Sequence, residues 1–202
     1  VHPEASAWRE LGALMKPQIW LTFAFASVGF GGMFAVFSYI AATATLVSGL
    51  PTDFVPVVLA IFGAGMIIGN ILGAWLADQS LVGTIGGVLS FNIVVLIVFW
   101  LTAQYPVMLC ICVLFIGFGV ALAPAVQTRL MDVAGDAQTL AAASMHSAFN
   151  IANAAGAWLG GLAITAGYGY ASTGWVGAAL GLAGLIVFGI SVGFERRHTI
   201  AP

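Results

Sequence analysis

Charge is what this sequence has least of. Only 6% of its 202 residues are Asp, Glu, Lys or Arg, whereas 61% are hydrophobic. A soluble domain usually carries about 25% charged residues, so this chain lacks the polar surface that would keep it dissolved in water. This composition predicts an all-α membrane protein whose solvent is the lipid bilayer.

Other absences exclude whole classes of function. The only cysteines, Cys110 and Cys112, would point about 200° apart on a helix, which favours apolar packing over a disulfide or a metal site. There is no basic tract for nucleic acid. There is also no HExxH zinc motif, no Walker loop and no serine nucleophile paired with a histidine in the membrane. We therefore expect neither an enzyme nor an ATP-driven pump, and no cofactor or metal.

The few charges divide the chain into long uncharged runs, and a membrane helix needs about 20 apolar residues. Two of the longest runs are interrupted by Gly, Pro and polar residues, at 102–106 and 166–173, as expected of turns. The sequence thus predicts six transmembrane helices, spans one to six. Their predicted bounds are 18–46, 54–77, 83–102, 106–129, 138–165 and 173–194.

The basic residues predict the orientation. With six spans, all five fall on one side, and the positive-inside rule places that side and both termini in the cytoplasm. The chain opens with Val1 and a polar stretch, which suggests that it is part of something longer. The expected organisation is the end of a central cytoplasmic loop (1–17), a six-helix bundle (18–194) and a cytoplasmic tail (195–202), in the inner membrane.

Small residues recur at helical spacing in three spans. Span two has glycines at 65, 69 and 73, span five at 156 and 160, and span six at 177 and 181 and again at 189 and 193. Such stripes let helix backbones approach closely in lipid. They either pack the bundle or mark surfaces that slide during a cycle. In span one, three glycines at 29, 31 and 32 suggest a bend or a partly unwound stretch.

Polar groups inside the predicted spans are the best pointers to function. His146, Asn150 and Asn153 share one face of span five. They either bond between helices or line a substrate path, and His146 is also a weaker candidate for proton coupling. Phe34 and Tyr39 in span one are further substrate-path candidates, although phenylalanines at helical spacing also serve packing. Lone amides lie at Asn70 and Asn92.

Three segments resemble a known family. The first is Gly-Asn-Ile-Leu-Gly-Ala-Trp-Leu-Ala-Asp-Gln at 69–79. The second is Ala-Pro-Ala-Val-Gln-Thr-Arg-Leu-Met-Asp-Val-Ala at 123–134. The third is Phe-Asn-Ile-Ala-Asn-Ala-Ala-Gly-Ala-Trp-Leu-Gly-Gly at 149–161. They resemble the major facilitator superfamily, in particular the drug/proton antiporter branch with its arabinose-efflux-like and chloramphenicol-resistance-like permeases. Residues 10–195 would then be the C-terminal six-helix half of such a fold.

The resemblance implies a secondary transporter that exports small organic molecules, drugs or sugars by proton exchange and alternating access. It implies a gating motif at Gly73 and Asp78, although Gln79 replaces the usual Arg and Asp78 could merely cap a helix. The implied partners are a small substrate, protons, the bilayer, and a missing N-terminal half or a second copy, with no nucleic acid. The alternative is a non-transporting or truncated six-helix membrane subunit.

Overall fold

The structure is a computed structural model that describes residues 16–135 and 137–200. The predicted loop at 1–17 therefore lies almost wholly outside the described residues, as does Asp136. Every regular element in the described part is helical, with no strand among them. The predicted fold class, an all-α membrane protein, is confirmed, and five described helical stretches are long and apolar enough to cross a membrane.

The helices follow the predicted spans closely. Span one comprises α1 (Pro17–Gly29), α2 (Gly31–Phe37), α3 (Ile40–Ala42) and a π-helical turn (Thr43–Val47). Spans two and three are α4 (Val55–Gln79) and α5 (Leu81–Thr102). Span four combines α6 (Pro106–Phe118), a 3-10 turn (Gly119–Ala121) and α7 (Leu122–Ala134). Span five is α8 (Gln138–Ala163) with a π turn (Ile164–Tyr168), and span six is α9 (Thr173–Ile200).

Span five is not among the five stretches that qualify by length and apolarity. Its helix α8 has 26 residues, which is long enough to cross the hydrocarbon core. It contains His146, Asn150 and Asn153, and these polar side chains lower its hydropathy. The span that is less apolar is therefore the one that carries the predicted polar stripe.

Glycines set the distance between spans two and four. Gly65, Gly69 and Gly73 are buried, and a Cβ at any of them would collide with the backbone of span four. Close contact of this kind supplies the dispersion energy that holds helices together in lipid. The stripe predicted for span two is thus a packing seam. By contrast, nothing in the described part of the chain lies within 4 Å of a Cβ at Gly189 or Gly193 in span six, so this pair makes no packing contact within the bundle.

The helix of span one is interrupted at Phe30, between Gly29 and Gly31, but it does not unwind there. Of the two expected features, a bend or a partly unwound stretch, only the unwound stretch is contradicted. Phe30 keeps right-handed helical angles, and its N–H still donates to the Ala26 carbonyl at 3.1 Å. Gly32 instead lies against the backbone of Gly177 in span six. A larger departure from helical angles occurs at Tyr39 (φ −120°, ψ 12°), which lies at least eight residues after Gly29 and Gly31. Tight packing on span six, which sequence cannot show, keeps the glycine segment helical.

The spans differ greatly in how much of their surface is buried. In the most apolar stretch of span one, 67% of the residues are buried, whereas in that of span two only 22% are. Span one lies at the centre, against spans five and six. The buried core forms two clusters: one contains Phe25, Leu89 and Leu122, and the other contains Val36, Phe62 and Phe99. Span two packs on span four by one narrow seam, so most of its surface is left for lipid or for another protein.

Candidate functional site

The polar stripe of span five lies on one exposed helix face. His146, Asn150 and Asn153 are all exposed, at i, i+4 and i+7 of α8. Their neighbour Ser147 is also exposed, but its hydroxyl donates to the Ala143 carbonyl of the same helix at 3.0 Å. The three stripe side chains thus point outward from span five rather than into the helix bundle.

Aromatic rings join this stripe to span one. The Phe149 ring, next to Asn150 in the chain, lies 4.3 Å from the Phe30 ring and 5.7 Å from the Phe34 ring, centroid to centroid. Phe30 is buried, whereas Phe34 and Phe149 are half-buried. The structure therefore brings Phe34 of span one against Phe149 of span five. Neither spacing nor propensity in the sequence links these two spans.

Tyr39 has a different environment from the one expected of a substrate-path residue. Its hydroxyl donates to the Ala157 carbonyl of span five at 2.8 Å. Its side chain lies in a notch formed by two glycines. A Cβ at Gly160 would lie 3.2 Å from a ring carbon, and a Cβ at Gly161 would lie 2.5 Å from the hydroxyl oxygen. The Thr43 hydroxyl in turn donates to the Tyr39 carbonyl at 3.0 Å. Tyr39 thus ties the break in span one to span five.

The Gly73–Asp78 motif lies at the end of span two. Gly73 is buried against Ala121 of span four, whereas Asp78 is exposed in the last turn of α4. The cap of the following helix is Ser80, whose hydroxyl accepts from the Gly83 N–H at 3.2 Å. The idea that Asp78 caps a helix is therefore wrong. Asp78 lies in the last turn of α4, where a carboxylate is unfavourable, and two residues before the Ser80 cap of α5, where it is favourable.

A buried polar network surrounds Arg129, the last residue of the predicted span four, and the sequence alone gave no sign of it. Arg129 lies within α7 and is buried, and its Nη2 donates to Ser191 Oγ at 3.0 Å and to Glu195 at 3.1 Å. Ser191 donates to Gln18 Oε1 at 2.8 Å, and the Phe188 ring lies 5.7 Å from the guanidinium. The network joins spans one, four and six at the end where Lys16 lies.

The signal that could have revealed this network is the length of the helices. Span four was predicted to end at 129 and span six at 194, but their helices continue to Ala134 and Ile200. Arg129 and Glu195 thereby fall inside helices, and their side chains meet. Lys16 donates to the Val133 carbonyl at 3.1 Å, so the same end of the bundle holds a second basic contact.

The lone amides have opposite environments. Asn92 in span three is buried, and its carboxamide lies against Gly119, where any Cβ would collide with it. Asn70 in span two is exposed on the helix that is least buried. Asn92 therefore belongs to the contact between spans three and four, whereas Asn70 faces outward.

Two open grooves lie away from the polar stripe, and both are mainly apolar. One, of about 400 Å³, lies between spans two, three and four and includes Gln79, Gly87 and Phe91. The other, of about 430 Å³, lies between spans five and six and includes Leu162 and Trp175. No group of three potential metal ligands occurs in the part of the chain that the structure describes. What the stripe offers chemically is hydrogen bonding beside aromatic rings.

Comparison with known proteins places the chain in a family. No family model matches. The chain is 36% identical over 182 residues to the Escherichia coli inner membrane transport protein YdhP, covering 89% of this chain and 47% of that protein. It is 31% identical over 184 residues to the Bacillus subtilis uncharacterized MFS-type transporter YfhI (88% and 45%). It is also 31% identical over 171 residues to a probable sugar efflux transporter of Haemophilus influenzae (82% and 42%).

These relatives are named as transporters and not as enzymes, in agreement with the exclusion of catalysis from the sequence. The chain spans about half the length of the curated relatives it matches. Six helical spans in the predicted order, with the predicted motifs on spans two, four and five, are similar to one half of such a transporter. The chain belongs to the major facilitator superfamily.

Proposed function

We propose that this chain is the C-terminal half of a secondary active transporter that exports small organic molecules by alternating access. The observation that carries this proposal is the polar stripe His146–Asn150–Asn153, exposed on a membrane span. Polar side chains that face hydrocarbon are costly, so the stripe needs an aqueous path or a polar partner. A path between two halves of a transporter provides both.

The exposed surfaces support a second half as the partner. Only 22% of the most apolar stretch of span two is buried, and this span carries the exposed amide of Asn70. A lipid-facing amide in that position would be unfavourable. We assign the opposite wall of the path to an N-terminal half that packs near spans two and five, and a second copy of this chain is the alternative.

Export would be driven by exchange for protons, and the other half would carry the coupling acid. Among the described residues, acidic side chains lie at or near helix ends, at Asp53, Asp78, Asp132 and Glu195. A proton carrier inside the membrane is expected to face the path at depth. Among the described residues inside the spans, His146 is the candidate for carrying protons, because histidine is a side chain that commonly relays them.

The proposed orientation has the Lys16 and Arg129 end of the bundle in the cytoplasm. The relatives include an inner membrane transport protein, which supports the same membrane for this chain. Asp78 would then lie at the cytoplasmic end of span two, as the gating motif requires, and Gly73 would hold that end of the helix against span four.

Export from cells tests the proposal. The complete protein is expressed in a bacterial strain depleted of efflux pumps, and export of a panel of labelled sugars and fluorescent dyes is followed with and without a protonophore. His146→Ala and Asn150→Ala should slow export of the transported compound several-fold at unchanged amounts of folded protein. Ser147→Ala is the matched control, because its hydroxyl is already bonded within its own helix.

Each result has a defined meaning. Export that the protonophore abolishes and the stripe variants slow would support a proton-coupled transporter. If both variants lower only the yield of folded protein, the stripe is a packing feature. If the unmodified protein exports no compound of the panel, the alternative of a non-transporting six-helix subunit is favoured instead.

A further inference from the structure

Two aromatic pairs join span one to its neighbours, spans five and two. Phe34 of span one meets Phe149 of span five edge to face, with centroids 5.7 Å apart and planes at 82°. One turn along, Phe37 stacks on Phe62 of span two, with centroids 4.8 Å apart and planes at 29°. Together they form an aromatic wall that runs across spans two, one and five.

Buried neighbours hold these rings. Phe62 is 4% exposed, and Phe30, which lies 4.3 Å from Phe149, is 1% exposed. Phe37, in contrast, is 40% exposed, and Phe34 is half-buried. The outer rings are thus oriented before any ligand arrives, which lowers the entropy cost of binding a flat molecule against them.

Hydrogen-bonding groups adjoin the wall, but charges do not. Asn153 lies four residues after Phe149 and so shares its side of α8, whereas Asn150, which directly follows Phe149, points about 100° away from it on the exposed face. Apart from Arg129 and Glu195, the charged side chains of the described residues lie at or near helix ends. Arg129, which is buried within α7, is bonded to Ser191 and Glu195. A carboxamide both donates and accepts, so it suits hydroxyl, amide or carbonyl groups of an uncharged ligand.

We propose that Phe34, Phe37 and Phe149 bind the flat face of an uncharged, ring-bearing substrate, while Asn150 and Asn153 bond to polar groups on its edge. This assignment rests on the proposed transport function and names the substrate class of the same site. A cation would also be attracted to aromatic faces, but phenylalanine is a weaker partner than tryptophan, and no described carboxylate at the wall offsets the desolvation of the charge. An anion meets the electron-rich faces of the rings.

A matched set of fluorescent probes tests the charge preference. Dansylamide is neutral, dansylcholine carries a positive charge and dansylglycine a negative one, on the same ring system. Binding of each probe to the complete protein in nanodiscs is titrated by fluorescence, with empty nanodiscs as the reference for partition into lipid. Dansylamide should bind at least tenfold more tightly than either charged probe.

Substitutions locate the binding surface. Phe34→Leu keeps an apolar side chain of similar size but removes the ring, and it should weaken dansylamide binding about 3- to 10-fold. Phe37→Ala should have an effect in the same range. Its matched control is Phe115→Ala on span four, because Phe115 is 42% exposed and also lies in an aromatic pair, 5.8 Å from Phe91, away from the wall. That control should change binding less than twofold.

The outcomes separate the substrate class from the transport function. Equal binding of the charged probes, equal effects of Phe37→Ala and Phe115→Ala, or no saturable dansylamide binding would each overturn the assignment. Export of charged compounds alone by the unmodified protein would overturn the substrate class while leaving the transporter intact. Failure to export every compound tested would instead overturn the proposed function itself.

Discussion

The Arg129 guanidinium lies 3.1 Å from the Glu195 carboxylate, and the two side chains are in very different surroundings. The side chain of Arg129 is 4% exposed and that of Glu195 is 52% exposed. The arginine also donates to Ser191, which is bonded to Gln18. Removing the arginine therefore disturbs a buried network, whereas neutralising the glutamate changes a partly solvated contact.

Arg129→Met should therefore destabilise the complete protein by about 1–3 kcal/mol, because buried polar partners lose their donor. Glu195→Gln should cost less than about 1 kcal/mol, because water screens the carboxylate. Thermal unfolding in detergent measures both. Since an apolar replacement of a buried ion pair sometimes stabilises a protein, an unchanged or higher melting temperature for Arg129→Met would show that the network is not a source of stability.

Gly73→Val should prevent normal packing of span two on span four. The added side chain would collide with the Ala121 backbone, which cannot move away without shifting the helix. Overpacking of this kind costs about 1–3 kcal/mol. The measurement is the monodisperse yield and the melting temperature of the purified protein. Gly63→Val on the same helix is the control, since nothing lies within 4 Å of a Cβ there, and equal losses for both variants would contradict the packing role.

Tyr39→Phe should remove the bond to the Ala157 carbonyl while keeping the ring in its glycine notch. Hydrogen bonds between membrane helices contribute about 0.6 kcal/mol on average, so we expect a small drop in melting temperature and unchanged transport. Tyr105→Phe, at an exposed tyrosine, serves as the control. A large change in transport by Tyr39→Phe without any change in stability would support the prediction that Tyr39 lines the substrate path.

Asp78→Asn and Ser80→Ala should separate gating from helix capping. Ser80 accepts from the Gly83 N–H, and loss of such a cap costs about 1 kcal/mol, so Ser80→Ala should lower the melting temperature. Asp78→Asn removes a carboxylate from a helix C-terminus and should leave stability equal or slightly higher. Under the gating proposal it nevertheless slows transport. Normal transport by Asp78→Asn would argue against that role.

Much of the fold could be predicted from the sequence, because a bilayer imposes simple rules on helix length and charge. The observed start of span four at Pro106 and the end of span three at Thr102 match their predicted positions, since proline and polar residues punctuate apolar helices there. The bounds of the loop and tail regions remain predictions, as does the orientation. The ends of spans four and six were underestimated because amphipathic turns continue a helix beyond the apolar stretch.

The candidate site was only partly visible in the sequence. Helical periodicity alone places His146, Asn150 and Asn153 on one face, and their roles remain proposals. The meeting of Phe34 with Phe149, the use of the Tyr39 hydroxyl by span five and the burial of Arg129 each join residues far apart in the chain. Spacing along one helix carries no information about such contacts.

The sequence by itself thus determined that the chain is a bundle of membrane helices with one polar face, because composition and a 3.6-residue period suffice for that. Only the tertiary structure decided which glycines are contact points. Gly73 meets the Ala121 backbone, whereas Gly189 meets open space, although both belong to the same kind of pattern. The physical reason is that two helices pack by fitting the ridges of one into the grooves of the other. Which ridges meet depends on the arrangement of all the spans and not on one helix alone.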